Sequence, residues 1–167
     1  MQPLEITEAT TPDDFRAARE LFFEYADAIG FDLGFQGFEA EVAQLPGDYS
    51  PPEGALLLAR RARSIVGCVA LRRLEDRVCE MKRLYVRADG RGAGVGRALA
   101  EAVIAAGRDR GYRRMRIDTV PSMRAARRLY RSLGFREIAP YRFNPIPGTS
   151  FMELELDPPR ESAKTPR

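Results

Sequence analysis

Leu84-Tyr85-Val86-Arg87-Ala88-Asp89-Gly90-Arg91-Gly92-Ala93-Gly94-Val95-Gly96-Arg97 is the stretch whose reading decides the fold of this chain. It opens as a strand-like run and passes through a glycine-rich turn. It then enters a segment in which Val95, Ala98, Leu99, Ala102, Val103 and Ala106 recur at helical spacing. A strand that feeds a helix through glycines leaves the first helical N–H groups without partners. It aims them, with the positive end of the helix dipole, at one place. An anion there gains about 0.3–1 kcal/mol per favourable contact, and Arg91 adds a planar donor fork suited to phosphate oxygens. The residues read as a cradle for a diphosphate, with a plain tight connection as the alternative.

The two familiar glycine signatures do not fit. No Lys-Ser or Lys-Thr pair follows the glycines, which disfavours a P-loop. Gly92-x-Gly94-x-Gly96 is followed by Arg97 where a dinucleotide fingerprint needs its last glycine, although Asp118 stands about twenty positions on, as that fingerprint asks.

Composition narrows the chemistry. The chain has 167 residues, 44% hydrophobic and 31% charged, enough for one domain with a real core. Its net charge is only +3, from 27 basic and 24 acidic side chains, and short arginine clusters are interspersed with acids. Such clusters help an anionic ligand approach, and no motif or aromatic interleaving points to nucleic acid. No apolar run approaches a membrane span and the first residues lack a basic-then-apolar leader, so the expectation is a cytoplasmic protein without a membrane segment. Cys68 and Cys79 read as two buried thiols in a reducing compartment. Histidine is absent, which removes histidine triads and the usual catalytic zinc sites, and no metal is expected. Proton transfer is left to carboxylates, tyrosine, lysine, cysteine or water.

The order of elements is mixed α/β. Leu4 to Thr7 reads as a strand. Thr11-Pro12-Asp13-Asp14 is a helix start, followed by Phe15, Ala18, Phe22, Ala26 and Ile29 at helical spacing up to Gly30. Phe38 to Leu45 reads as a short helix. Ala55 to Arg60 and Ser64 to Leu71 form a hairpin pair, and Val78 to Val86 follows. After the cradle helix, Arg114 to Thr119 completes a strand–helix–strand crossover. Ser122 is the expected cap of a helix carrying Ala125, Ala126, Leu129, Tyr130 and Leu133, stopped by Gly134. Phe135 to Ala139 and Phe151 to Leu156 close the domain, which spans residues 3–157. Residues 158–167 have nothing apolar to bury and read as a disordered tail.

With these pieces in register the chain resembles the Gcn5-related N-acetyltransferase (GNAT) superfamily over nearly its whole length. Arg91-x-x-Gly94-x-Gly96 matches the family's central motif. Glu80-Met81-Lys82-Arg83-Leu84-Tyr85-Val86 resembles its fourth strand, and Leu129-Tyr130-Arg131-Ser132-Leu133-Gly134-Phe135 resembles its Leu-Tyr, three residues, Gly-Phe segment. The resemblance implies the single-domain acyl-CoA N-acyltransferase fold, a mostly antiparallel mixed sheet of about six or seven strands flanked by four helices. It implies acetyl-CoA as co-substrate. The pyrophosphate would lie on Arg91, Gly92, Ala93, Gly94, Val95, Gly96 and Arg97, and the pantetheine arm would pair along Leu84, Tyr85 and Val86 like an extra strand.

Within that frame Tyr130 is the candidate acid for the departing thiolate, and its alternative is a core aromatic. Glu80 is the candidate base, a strand carboxylate that a cleft would give a raised pKa; its alternative is an ion pair with Lys82, two residues on. Asp118 is the runner-up. Many relatives carry asparagine where this chain has Met123, so that cofactor contact moves to Ser122 or becomes packing. The acceptor is expected to be a small-molecule amine, with a protein N-terminus or lysine as the alternative. Phe31, Phe35, Phe38 and Tyr141 are candidates for an apolar wall, and Glu24, Asp27 and Asp32 for meeting a cationic amine. A non-catalytic acetyl-CoA sensor is the rival of another class, and a homodimer fits the resemblance.

Overall fold

The architecture follows from one sheet that is apolar on both faces over most of its width. The computed structural model describes residues 2–30, 32–34 and 37–156. Phe31, Phe35 and the tail expected at 158–167 lie outside the described residues. In chain order the elements are β1 (Leu4–Glu8), α1 (Pro12–Ile29), α2 (Phe38–Ala43), β2 (Ala55–Arg61), β3 (Ser64–Glu75) and β4 (Val78–Val86). These are followed by α3 (Val95–Asp109), β5 (Arg114–Thr119), α4 (Arg124–Ser132), β6 (Arg136–Ile138) and β7 (Ser150–Glu155). The strands form one sheet in the order β1-β2-β3-β4-β5-β7-β6. Only β4 and β5 run parallel, because α3 carries the chain across between them; the other neighbours are antiparallel. The expected mixed fold is present.

Local signals explain most boundaries. Thr11 and Asp14 form a reciprocal capping box at the start of α1, with Pro12 in the first turn, and Gly30 ends the helix at a φ of 72°. At α4 the cap differs from the expected Ser122. The amide of Met123 bonds the carbonyl of Val120 at 3.1 Å, so a turn holds the chain until Met123, which caps without a side-chain hydrogen bond. β3 runs on past Leu71 to Glu75 because Arg72, Arg73 and Glu75 pair in register with β4.

The two faces carry separate cores. Val69, Leu71, Met81, Leu84, Leu99, Val103, Met115 and Tyr130 belong to the core under α3 and α4. Ala18, Leu21, Phe22, Phe38, Leu56, Leu58, Cys68 and Ala70 belong to the one under α1 and α2. Both cysteines are free and buried. On this second side the apolar pattern stops at the middle of the sheet. Arg72, Glu80, Arg116 and Glu153 stand directly opposite one another across β3, β4, β5 and β7, and Arg136 of β6 continues the row. Two links of this row are hydrogen-bonded at 2.9 Å, Arg72 Nε to Glu80 and Arg116 Nε to Glu153.

One residue sets the shape of the site. The β3–β4 register slips between Cys68 and Ala70, so Arg83 and Leu84 together face Val69, a bulge. Arg83 sits there at a φ of 60°, a left-handed conformation that costs an arginine about 1–2 kcal/mol. Its buried guanidinium is held bidentate by Glu41 of α2, at 2.9 and 3.1 Å, and lies over the rings of Tyr25 and Phe38. These contacts offset the strain. The parallel pairing of β4 with β5 ends at Glu80 opposite Arg116, and β4 goes on to Val86 while β5 goes on to Thr119 without further pairing. The sheet is split in a V.

Candidate active site

The mouth of the V is a cleft of about 550 Å³. Leu84, Tyr85, Val86, Arg91, Gly92, Gly94, Val95, Gly96, Ser122 and Met123, all expected as cofactor contacts, line it, with Tyr25, Ala28 and Ile29 of α1 as the facing wall. Ala93 and Arg97 are outside the lining. The Arg97 side chain turns away to Ser132, at 2.6 Å. Gly92 and Gly94 take φ values of 80° and 75°, which side-chain-bearing residues resist, and this brings the turn into the helix. α3 begins with no side-chain cap, and its first internal bond is from Ala98 to the carbonyl of Gly94. The amides of Val95, Gly96 and Arg97 therefore face outward for an anion. Arg91 gives its Nε to the carbonyl of Val86 at 3.0 Å, which fixes the guanidinium at the rim. An unpaired strand edge beside an uncapped helix start is a donor set that fits acyl-CoA, amide arm and pyrophosphate together.

At the inner end of the cleft is a narrow chamber lined by Tyr25, Lys82, Arg83, Leu84, Asp118, Met123 and Tyr130. Tyr130 is buried and its ring packs against Phe135 at 5.6 Å; burial raises the pKa of its hydroxyl, so it stays a donor. Asp118 accepts from Asn144 Nδ2 at 3.2 Å, which ties the chamber to the loop before β7. Lys82 is 5% exposed. Burial and the neighbouring Arg83 pull its pKa down to about 7, while Glu80 acts in the opposite sense.

Glu80 is fully buried behind this chamber. One oxygen accepts from Arg72 at 2.9 Å and lies 3.9 Å from Lys82. The other accepts from the Tyr141 hydroxyl at 2.7 Å and from Arg142. Burial pushes its carboxyl up, but Lys82, Arg142 and Arg72 outweigh burial and hold it below the usual carboxylate range. The direction is opposite to the raised pKa expected of a base in a cleft. Cross-strand and loop cations, invisible in the local sequence, are the reason. Tyr141 stacks edge-on against Phe151 and under Arg116 and Arg142, so it packs over the charged row rather than forming an apolar wall with Phe38, which is buried beneath α1.

The acids considered for the acceptor amine are placed elsewhere. Glu24 is held by Arg87 at 2.7 Å and by the Tyr85 hydroxyl at 3.4 Å. Asp32 accepts from the amide of Gly34, and Asp27 is exposed. Arg72 and Arg142 were not singled out from the sequence, and Lys82 was named only as an ion-pair partner of Glu80. The local signal in β4 is three charged residues, Glu80, Lys82 and Arg83, within a strand whose other members are apolar or tyrosine.

Comparison with known proteins decides the family. The acetyltransferase (GNAT) family model matches residues 14–135. The chain belongs to the GNAT acetyltransferase family. It is 38% identical to an uncharacterized N-acetyltransferase of Schizosaccharomyces pombe, over 92% of this chain and 95% of that protein. It is 28% identical to an N-acetylaspartate synthetase of Danio rerio, over 83% of this chain and 47% of that protein. An acetyltransferase structure from Streptococcus agalactiae superposes with a TM-score of 0.76 at 22% identity, covering 93% of this chain and all of that one, and so shares its fold. This GNAT-family protein is an acetyl-CoA-dependent enzyme that acetylates an amine. Among the described residues no helix is long and apolar enough to cross a membrane, and no cluster of His, Cys, Asp or Glu is placed to hold a metal ion.

Proposed function

We propose that the enzyme transfers acetyl from acetyl-CoA to the primary amine of a small molecule by direct attack in a ternary complex. The observation that carries this reading is the junction of cleft and chamber. Tyr25, Leu84 and Met123 belong to the linings of both. A thioester at the end of an arm laid along β4 reaches the chamber where the titratable groups converge. The relative from Danio rerio is named for a small product.

Tyr130 donates its proton to the thiolate as the carbon–sulfur bond breaks. Its raised pKa keeps it protonated at the start of each cycle, and it gives up that proton only as negative charge builds on the sulfur. Asp118 takes the proton that the attacking amine gives up, because it faces the chamber, whereas both Glu80 oxygens are engaged. Glu80 acts on position: it holds Arg72, Lys82 and Arg142 together behind the chamber. Most of the rate comes from holding amine and thioester in register. Met123 contributes packing at the junction, where a thioether offers no donor.

Calorimetric titration with acetyl-CoA, with NADH and ATP in parallel, is the first test. Saturable binding of acetyl-CoA alone, weakened in Arg91→Ala, is expected. Thiol release with an amine panel then separates enzyme from sensor: a protein that binds acetyl-CoA and acetylates nothing in the panel overturns the catalytic roles. Preference for NADH or ATP overturns the whole reading.

A further inference from the structure

Lysine occurs only twice in the sequence, at Lys82 and Lys164, and every other basic side chain is arginine. Lys82 is the one lysine among the described residues. Around it the other cations, Arg72, Arg83 and Arg142, are arginines that form ion pairs. A guanidinium keeps its proton at any working pH, whereas a desolvated ammonium can release it. Position 82 therefore holds the one kind of cation that can turn into a nucleophile.

Charge pairing does not account for that choice. Glu80 accepts from Arg72 at 2.9 Å on one oxygen and from Tyr141 and Arg142 on the other. Lys82 Nζ stands 3.9 Å from it, beyond hydrogen-bond length. The carboxylate is satisfied without the lysine. The ammonium, in turn, is disfavoured where it sits. Burial and then Arg83 lower its pKa most; Glu80 raises it, Arg72 lowers it again and Asp118 raises it. Glu41 of α2 is engaged by Arg83, and burial keeps the hydroxyls of Tyr25 and Tyr130 protonated, so these add no charge that reverses the balance. Near pH 7 the amine is substantially neutral. A neutral amine donates hydrogen bonds to its neighbours and still offers a lone pair.

Its place matters as much as its charge. Lys82 lines the chamber with Asp118 and Tyr130, and the chamber shares Tyr25, Leu84 and Met123 with the cleft. Leu84 lies two residues farther along β4, roughly 7 Å. A thioester on an arm that runs past Leu84 meets an amine the protein itself supplies. We propose that, when no acceptor fills the chamber, the enzyme acetylates its own Lys82. This rests on the acetyl-transfer reading above and adds a second acceptor to the same site. The Nζ lone pair attacks the thioester carbonyl carbon; the C–N bond forms and the C–S bond breaks. Asp118 takes the proton that the nitrogen loses, Tyr130 protonates the thiolate, and a proton returns from Asp118 to Tyr130 through solvent. The products are an acetyl amide on Lys82 and CoA thiol. The amide is stable and fills the chamber, so the event is a self-inactivation and not an intermediate.

The test incubates the full chain with acetyl-CoA at neutral pH, without added amine, and follows intact mass. A gain of one acetyl group that maps to Lys82 is expected, at a first-order rate independent of protein concentration. No label, or label confined to Lys164 or the terminal amine, overturns the proposal. Urea-unfolded chain should label Lys82 far more slowly, because its ammonium regains the ordinary pKa; equal rates would mean plain chemical acetylation. The folded rate should level off above about pH 8, since the pKa of Lys82 is about 7. A rate that keeps climbing roughly tenfold per pH unit, as for an ordinary lysine, overturns the assignment. Lys82→Arg keeps the charge and should abolish the label, while Lys164→Arg should leave it intact. Thiol release with an added amine should fall in proportion to the label, and full activity in labelled enzyme overturns self-inactivation. Calorimetry separates the two layers. Enzyme that binds acetyl-CoA and acetylates a free amine but never Lys82 loses this inference alone; a chain that binds no acetyl-CoA loses both.

Discussion

The cleft proposed for acetyl-CoA and the side proposed for the acceptor share β4 but are built from different materials. The cleft presents backbone: an unpaired strand edge, glycines at positive φ and an uncapped helix start, with Arg91 as its charged rim. The acceptor side presents side chains, charged ones, carried in from β3, β4, β5, α2 and the loop before β7. Backbone recognition depends on a local run of residues and tolerates change elsewhere. A buried charge network depends on every member at once, because removing one partner strands the rest in a medium that punishes lone charge. One strand thus carries a robust site and a brittle one.

The largest break of that contrast is expected from Glu80→Gln. It leaves Arg72, Lys82 and Arg142 converging on a neutral amide and should cost about 3–5 kcal/mol in urea unfolding at neutral pH. The sign with pH is fixed by the lowered pKa of Glu80. The carboxylate's contribution is present above its unfolded pKa and is lost as pH falls through the folded one, so wild type and variant should converge in acid. A penalty that is equally large at pH 3 would show that the charge is not its source.

Tyr130→Phe comes next and acts on chemistry rather than stability. It should lower kcat by roughly 10²-fold or more, the usual worth of a positioned acid, with acetyl-CoA affinity little changed. In the cleft, Gly94→Ala puts a Cβ on a residue at a φ of 75° and should cost about 1–2 kcal/mol, read mainly as weaker acetyl-CoA binding. If Gly94→Ala harms folding more than Glu80→Gln, the contrast between robust and brittle sites is wrong.

A finer probe is Lys82. Its folded pKa, about 7, lies below the ordinary value of 10.5, so between these pH values the unfolded chain binds a proton that the folded chain has released. Stability should rise with pH across that window, and Lys82→Met should flatten the rise. The smallest effect is expected at the cysteines. Burial pushes both thiols up, Cys79 to about 12, so a thiol reagent should leave native activity unchanged and react only after denaturation.

What the sequence disclosed follows the same division. β4, β5, α3 and the glycine turn are readable because each is local: a strand of apolar residues, a helical stripe, glycines where φ must be positive. The bulge at Arg83 was not readable, since no glycine marks it and its compensation comes from Glu41 and two aromatic rings distant in sequence. Glu80 with Lys82 was anticipated as a neighbour pair, and that link exists at 3.9 Å. The partners that reverse its expected pKa, Arg72 and Arg142, reach it through strand register and a loop 62 residues away. Ser122 looked like a cap because its type is right, and a turn at Val120 displaced the helix start beyond it.

The V between β4 and β5 also makes the free enzyme an unfinished sheet. An acyl-CoA arm lying along β4 would act as the missing strand, so ligand binding and local folding become one equilibrium. Amide hydrogens of residues 81–86 that point into the gap should exchange rapidly in the free protein and slow down once CoA is added, while those on the β3 side remain slow throughout. The melting temperature should climb with CoA concentration, by the equivalent of about 2.7 kcal/mol at a hundred times Kd. In a cell the pool of acyl-CoA would then set how much of this enzyme survives proteolysis as well as how fast it turns over.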